Sequence, residues 1–153
     1  MSAMMAALFT ENTYPLEKRL SKVSRPKAVK AFVRILRAEN NAGIKATIAL
    51  ASDKGEPIRE MRYDFSKVSL EEAGLRAALE SLKIARRNRV KHIVIFVDNE
   101  RVVSIANGTE IPPAELISLT LQVRALCHSF ESAVIRYSAE GMAESLSHSH
   151  EPR

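Results

Sequence analysis

The chain has 153 residues, the length of one domain able to bury a real core. Hydrophobic residues make up 46% and charged residues 27%, proportions that exclude a disordered chain and a membrane class. One cysteine excludes an intrachain disulfide, and a net charge of +5 with a pI near 9.6 favours polyanionic partners.

The opening run Met4-Met5-Ala6-Ala7-Leu8-Phe9 has no basic flank and is too short for a bilayer span or a signal peptide, so a cytoplasmic protein with no membrane partner is expected. Residues 1–26, broken by Pro15 and Pro26, read as a basic arm. Between residues 17 and 37 the bases Lys18, Arg19, Lys22, Arg25, Lys27, Lys30, Arg34 and Arg37 face one acid, Glu17. Such a cluster suits phosphate, and equally a solvated basic face.

After Pro26, Val29, Ala31, Val33 and Ile35 alternate with Lys30, Phe32, Arg34 and Leu36 at the period of a strand. A turn at residues 39–43 leads to a second alternation, Ile44, Ala46, Ile48 and Leu50. Ser52-Asp53-Lys54-Gly55 then reads as a hairpin turn before a third strand through Ile58, Met61, Tyr63 and Phe65. Ser69 is a good helix cap, with Glu71 and Glu72 suited to a first turn. Leu75, Ala78, Leu79, Leu82 and Ala85 recur at helical spacing up to the bases at 86–91. His92-Ile93-Val94-Ile95-Phe96-Val97 is a nearly continuous apolar run, as in a parallel strand covered on both faces. Asp98 follows it. A short helix from Glu100 stops at Asn107-Gly108, Pro112-Pro113 opens another running to Phe130, and Ala133-Val134-Ile135 begins a last strand. A brief helix from Met142 precedes a polar tail at residues 148–153. The domain itself is expected to span residues 27–147.

This order of elements resembles the ribonuclease H-like superfamily, of the reverse-transcriptase-like type. Glu72-Ala73-Gly74-Leu75-Arg76-Ala77-Ala78-Leu79 looks like that family's E-A-E-Y-x-A-L helix, and Asp98-Asn99-Glu100-Arg101-Val102-Val103 like its D-S-x-x-V-V segment. Ala143-Glu144-Ser145-Leu146 is similar to its closing A-D-x-L. The resemblance implies an α/β fold: a mixed sheet of three antiparallel strands and then two parallel ones, with helices on both faces. It also implies two divalent ions held by four carboxylates, because hard cations bound by oxygen activate water and stabilise the departing oxygen of a phosphodiester.

Residue by residue the carboxylates mostly fail to carry over. The first strand ends in Ile35-Leu36-Arg37-Ala38, with Glu39 the nearest acid. The helix glutamate falls on Gly74, two and three residues after Glu72 and Glu71. Asp98 matches outright and is the candidate metal ligand, unless it merely caps the next helix. Glu144 matches only with a shortened loop. Gly74 costs about 1 kcal/mol relative to Ala inside a helix. It therefore signals either close backbone approach or a vacated site where a glutamate would fit without breaking the helix.

The expected function is a non-catalytic module without a cofactor, binding RNA, DNA or a nucleoprotein through Lys18, Arg19, Lys22, Arg25, Lys27, Lys30 and Arg37. Arg37 beside a former metal pocket would repel Mg²⁺ and favour phosphate. Two alternatives stand beside it. One is an active Mg²⁺-dependent nuclease with a rearranged site from Glu39 or Glu71, Asp98 and Glu144. The other is a structural protein that self-associates through an exposed edge strand or helix.

Overall fold

Three strands, β1 (Ala28–Arg37), β2 (Ile44–Ser52) and β3 (Pro57–Phe65), come first in the computed structural model, which describes residues 26–39 and 43–139. They are followed by α1 (Leu70–Arg87), β4 (His92–Val97) and α2 (Glu100–Asn107). A single 3-10 turn at Ala114–Leu116 runs into α3 (Ile117–Cys127), and β5 (Ser132–Tyr137) completes the fold. The sheet order is β3-β2-β1-β4-β5. β1 pairs antiparallel with β2 and parallel with β4, β2 pairs antiparallel with β3, and β4 parallel with β5. The mixed sheet expected from the sequence is therefore what forms.

The β2–β3 hairpin closes on Ser52, whose Oγ accepts the amides of Lys54 (3.2 Å) and Glu56 (3.1 Å) while its carbonyl accepts that of Gly55 (2.9 Å). Gly55 takes φ +90°, which a side chain would resist.

Strand alternation gives the sheet two faces. On one lie Val29, Ala31, Val33 and Ile35 of β1, Ile44, Ala46 and Ile48 of β2, Ile93, Ile95 and Val97 of β4, and Ile135 of β5, all buried. All three described helices pack there, in one continuous core, so among the described residues the helices expected on both faces lie on one. α1 offers that face Ala73, Gly74, Ala77, Ala78 and Ala85 among its leucines, and small side chains let helix and sheet approach closely. Burial of each full-sized Leu, Ile or Val contributes about 1.5–3 kcal/mol.

The other face carries a small second cluster of Phe32, Ala49 and Ala51, with Phe96 packed against it. The Phe32 and Phe96 rings stack with centroids 5.2 Å apart. Lys30, Arg34 and Leu36 share this outer face.

Ser69 caps α1 as expected, its Oγ accepting the Glu72 amide at 3.0 Å. The cap of α2 is Asn99, whose Oδ1 accepts the Val102 amide at 3.0 Å, and not Asp98. α3 is shorter than its sequence suggests. Prolines supply no amide hydrogens, and the chain after them first closes a tight turn, Leu116 N–H to the Pro113 carbonyl at 2.8 Å. At the other end α3 unwinds through Ser129 and Phe130 bonds to carbonyls three residues back. No described helix is long and apolar enough to cross a membrane. The arm bases Lys18, Arg19, Lys22 and Arg25, the helix expected from Met142 and Glu144 within it lie outside the described residues.

Candidate functional site

The carboxyl ends of the parallel strands β1, β4 and β5 meet at one end of the sheet, where open α/β sheets usually bind ligands. Asp98 is the first residue beyond β4. Its amide donates to the Val33 carbonyl (3.2 Å) and its carboxylate accepts the Ile35 amide (3.0 Å). Amides two residues apart on a strand point the same way, so the Ile35 N–H faces a place where β4 has already ended. The Asp98 side chain fills that place and extends the ladder by one bond. Burial pushes the Asp98 pKa up from its ordinary value, opposed by the Ile35 hydrogen bond and the nearby positive charge of Arg34.

Gly74 stands on the turn of α1 nearest this end, and the space beside it is full. A Cβ there would lie 2.7 Å from Ile35 Cδ1 and 2.6 Å from Val102 Cγ2. The expectation of a vacated cavity open to a glutamate is thus corrected, as is that of close backbone approach. Side chains from β1 and α2 have closed the gap.

The remaining acids are occupied or remote. Glu71 pairs with Arg101 (3.6 Å), which also binds Glu110 (2.6 Å), and Glu72 pairs with Arg76 (2.8 Å). Glu39 is exposed beyond the end of β1. Among the described residues no group of three His, Cys, Asp or Glu side chains could hold a metal ion. Two divalent ions need several converging oxygens, and the described residues do not fit that requirement.

The bases of β1 fall into separate places. Lys30 and Arg34 sit on the outer face, whereas Lys27 and Arg37 have the opposite parity and lie about 33 Å apart at the strand's two ends. Lys27, Arg34 and Arg37 are exposed. Register adds two bases that sequence reasoning did not single out. Lys45 lies opposite Leu36, and Arg136 lies opposite Phe96, both exposed and both on the face of Arg34. Alternation within β2 and β5, combined with correct pairing, was the signal that could have found them.

A family model described as reverse transcriptase-like matches residues 35–146. The chain belongs to the reverse transcriptase-like family. The fold of this reverse transcriptase-like domain is correspondingly that of RNase H domains. It is similar to RNase H1 from the halophilic archaeon Halobacterium salinarum, with TM-score 0.67 and 18% identity over 77% of this chain and 90% of that one. The N-terminal RNase H domain of a Mycobacterium tuberculosis protein gives TM-score 0.64 and 15% identity over 75% and 84% of the two chains. An RNase H1 crystallised in complex with an RNA/DNA hybrid gives 0.59 and 11% over 74% and 86%. At such identities the likeness is one of fold. No curated protein sequence matches the chain.

Proposed function

We propose that this reverse transcriptase-like domain is a non-catalytic module that binds nucleic acid, in the cytoplasm, through the basic residues of its arm and of its sheet. The observation that carries this reading is the double role of Ile35. Its amide engages the Asp98 carboxylate while its Cδ1 packs where a helix glutamate would project from position 74. One apolar residue thus stands at the centre of the place where metal-binding carboxylates would have to converge. Electrostatics point the same way. Arg34 acts on Asp98 from β1, Arg37 ends that strand, and neither welcomes a dication.

Backbone phosphate is the chemistry that these cations suit: Lys27, Lys30, Arg34, Arg37, Lys45 and Arg136, together with Lys18, Arg19, Lys22 and Arg25 in the arm. An RNase H1 of the same fold has been crystallised with an RNA/DNA hybrid, which makes the hybrid the first ligand to try.

The test pairs binding with cleavage. The full chain is mixed with a labelled RNA/DNA hybrid at low salt, with Mg²⁺ or Mn²⁺ and without either. Binding independent of metal and no cutting are expected. Metal-dependent cutting that disappears in Asp98→Asn would establish the nuclease alternative instead.

A further inference from the structure

The amino ends of the parallel strands lie at the opposite end of the sheet from Asp98, and cations gather there of which the proposed function uses only Lys27. Lys27, Lys91 and Glu131 immediately precede β1, β4 and β5. Backbone ties the three together: the Lys27 carbonyl accepts the Lys91 and His92 amides, both at 2.9 Å, and the Lys91 carbonyl accepts the Glu131 amide at 2.9 Å. The segment that leads from α1 into β4 adds Arg86, Arg87 and Arg89. All five bases are exposed. Of the five, among the described residues, only Lys91 has an ion-pair partner, Glu131 at 3.5 Å, and both side chains of that pair are more than half exposed. Such a pair contributes little and exchanges readily.

Arg86 and Arg87 sit in the last turn of α1, where the helix carbonyls favour cations, and Arg87 also acts on Tyr63 of β3. Arg89 has no such explanation. Its φ is +61°, in the left-handed region that favours glycine and resists a Cβ. The bonds around it, Arg89 N–H to the Arg86 carbonyl and Val90 N–H to the Ala85 carbonyl, both 3.0 Å, form a helix ending in which that position is usually glycine. Folding alone would favour Gly there. A large cation stands in its place, beside others that repel it, and a backbone outlier held at a local cost points to a role outside folding.

We infer, building on the nucleic-acid reading proposed above, that Arg86, Arg89 and Lys91 together with Lys27 form a phosphate-binding surface at the amino end of the sheet, continuous with the basic arm. Chain length fixes that partnership. At no more than about 3.6 Å per residue, Arg25 stays within about 7 Å of Lys27 and Lys22 within about 18 Å, whatever path the chain takes. Arg37 is about 33 Å away at the other end of β1. Arg25 and Lys22 therefore act beside the loop and not at the carboxyl end of the sheet. Guanidinium forks match phosphate oxygens, and closely spaced cations suit the regularly charged backbone of a nucleic acid. Residues 86–91 include no aromatic ring to stack on a base, so the contact carries no sequence preference.

Fluorescence anisotropy of the full chain with a labelled RNA/DNA hybrid across a salt series tests the inference. Arg86→Ala, Arg89→Gly and Lys91→Ala together should flatten the slope of log affinity against log salt by up to about 2.7. Lys67→Ala, Arg76→Ala and Lys83→Ala remove the same net charge from exposed positions elsewhere and should leave the slope nearly unchanged. Arg89→Gly alone should raise the melting temperature while weakening binding, opposite signs that a purely structural residue would not give. A parent that binds but keeps its slope in the loop triple, a control triple that flattens the slope as much, or an Arg89→Gly protein that binds as tightly as the parent would each overturn the loop surface and leave the proposed function standing. A parent that binds no hybrid at low salt would overturn both.

Discussion

Asp98 holds the end of a sheet together through a carboxylate that burial makes costly to charge. Because its folded pKa is raised, there is a pH interval in which the unfolded chain has lost the proton and the folded one keeps it. The folded state binds more protons across that interval, so the contribution of Asp98 to stability falls as pH rises through it. Asp98→Asn retains an oxygen for the Ile35 amide without the charge. Its melting temperature should match or exceed the parent's at pH 7, and any advantage should vanish below about pH 4. Asp98→Ala leaves the Ile35 amide without its acceptor and should cost about 1–3 kcal/mol. Thermal melts of the three proteins from pH 3 to pH 8 check this, and an Asn variant no more stable than the Ala variant would count against it. Gly74 offers a second residue-scale test. Gly74→Ala gains about 1 kcal/mol of helix propensity but overpacks Ile35 and Val102 at about 1–3 kcal/mol, a net loss of up to about 2 kcal/mol. Gly74→Glu buries a charge with no partner and should unfold the domain or lower its melting temperature far more than the Ala change. A well-folded Glu variant would mean that the Ile35–Val102 contact opens easily.

Element by element, the sequence was most informative where local pattern and tertiary demand agree. β1, β2 and β3 alternate because each has one face against the helices, and α1 announces itself through Ser69, its first-turn acids and its apolar spacing. Its cap carries a simple expectation. Ser69→Ala removes the acceptor of the Glu72 amide and should cost about 1 kcal/mol, measured by denaturant titration, whereas Ser69→Asp should be close to neutral. Legibility ended where two adjacent residues could do the same job. Asp98 and Asn99 both have side-chain oxygens able to cap α2, and only the pairing of β4 with β1, which draws Asp98 toward Ile35, leaves the cap to Asn99. Gly74 was ambiguous for a related reason. A missing Cβ records that space is needed without saying whether backbone, solvent or side chains use it, and Ile35 and Val102 come from β1 and α2, far away in sequence.

At the scale of the whole molecule, a net charge of +5 says that a polyanion is attracted, and the fold says where the described cations can act together. Pairing across β1, β2, β4 and β5 puts Arg34, Lys45 and Arg136 on one face, around the stacked Phe32 and Phe96, although they are scattered in the sequence. Lys27 and Arg37, close to Arg34 in sequence, point elsewhere. If the shared face contacts phosphates, those contacts release condensed counterions, and log affinity falls linearly with log salt at a slope of about 0.9 per phosphate for duplex or 0.7 for single strands. Replacing Arg34, Lys45 and Arg136 together by Ala should then flatten the slope by up to about 2.7 for duplex ligand, with little change in preference among sequences. The three are solvent-exposed strand residues, so the fold should tolerate their loss. Replacing Lys18, Arg19, Lys22 and Arg25 in the arm measures a separate contribution, and the two effects add if the surfaces act independently. Fluorescence anisotropy with a labelled RNA/DNA hybrid across a salt series provides the slopes. A triple variant with the parent's slope would remove the outer face from the interface and leave the arm to account for binding, and an unchanged slope in both variants would remove the phosphate-binding surface proposed for this domain.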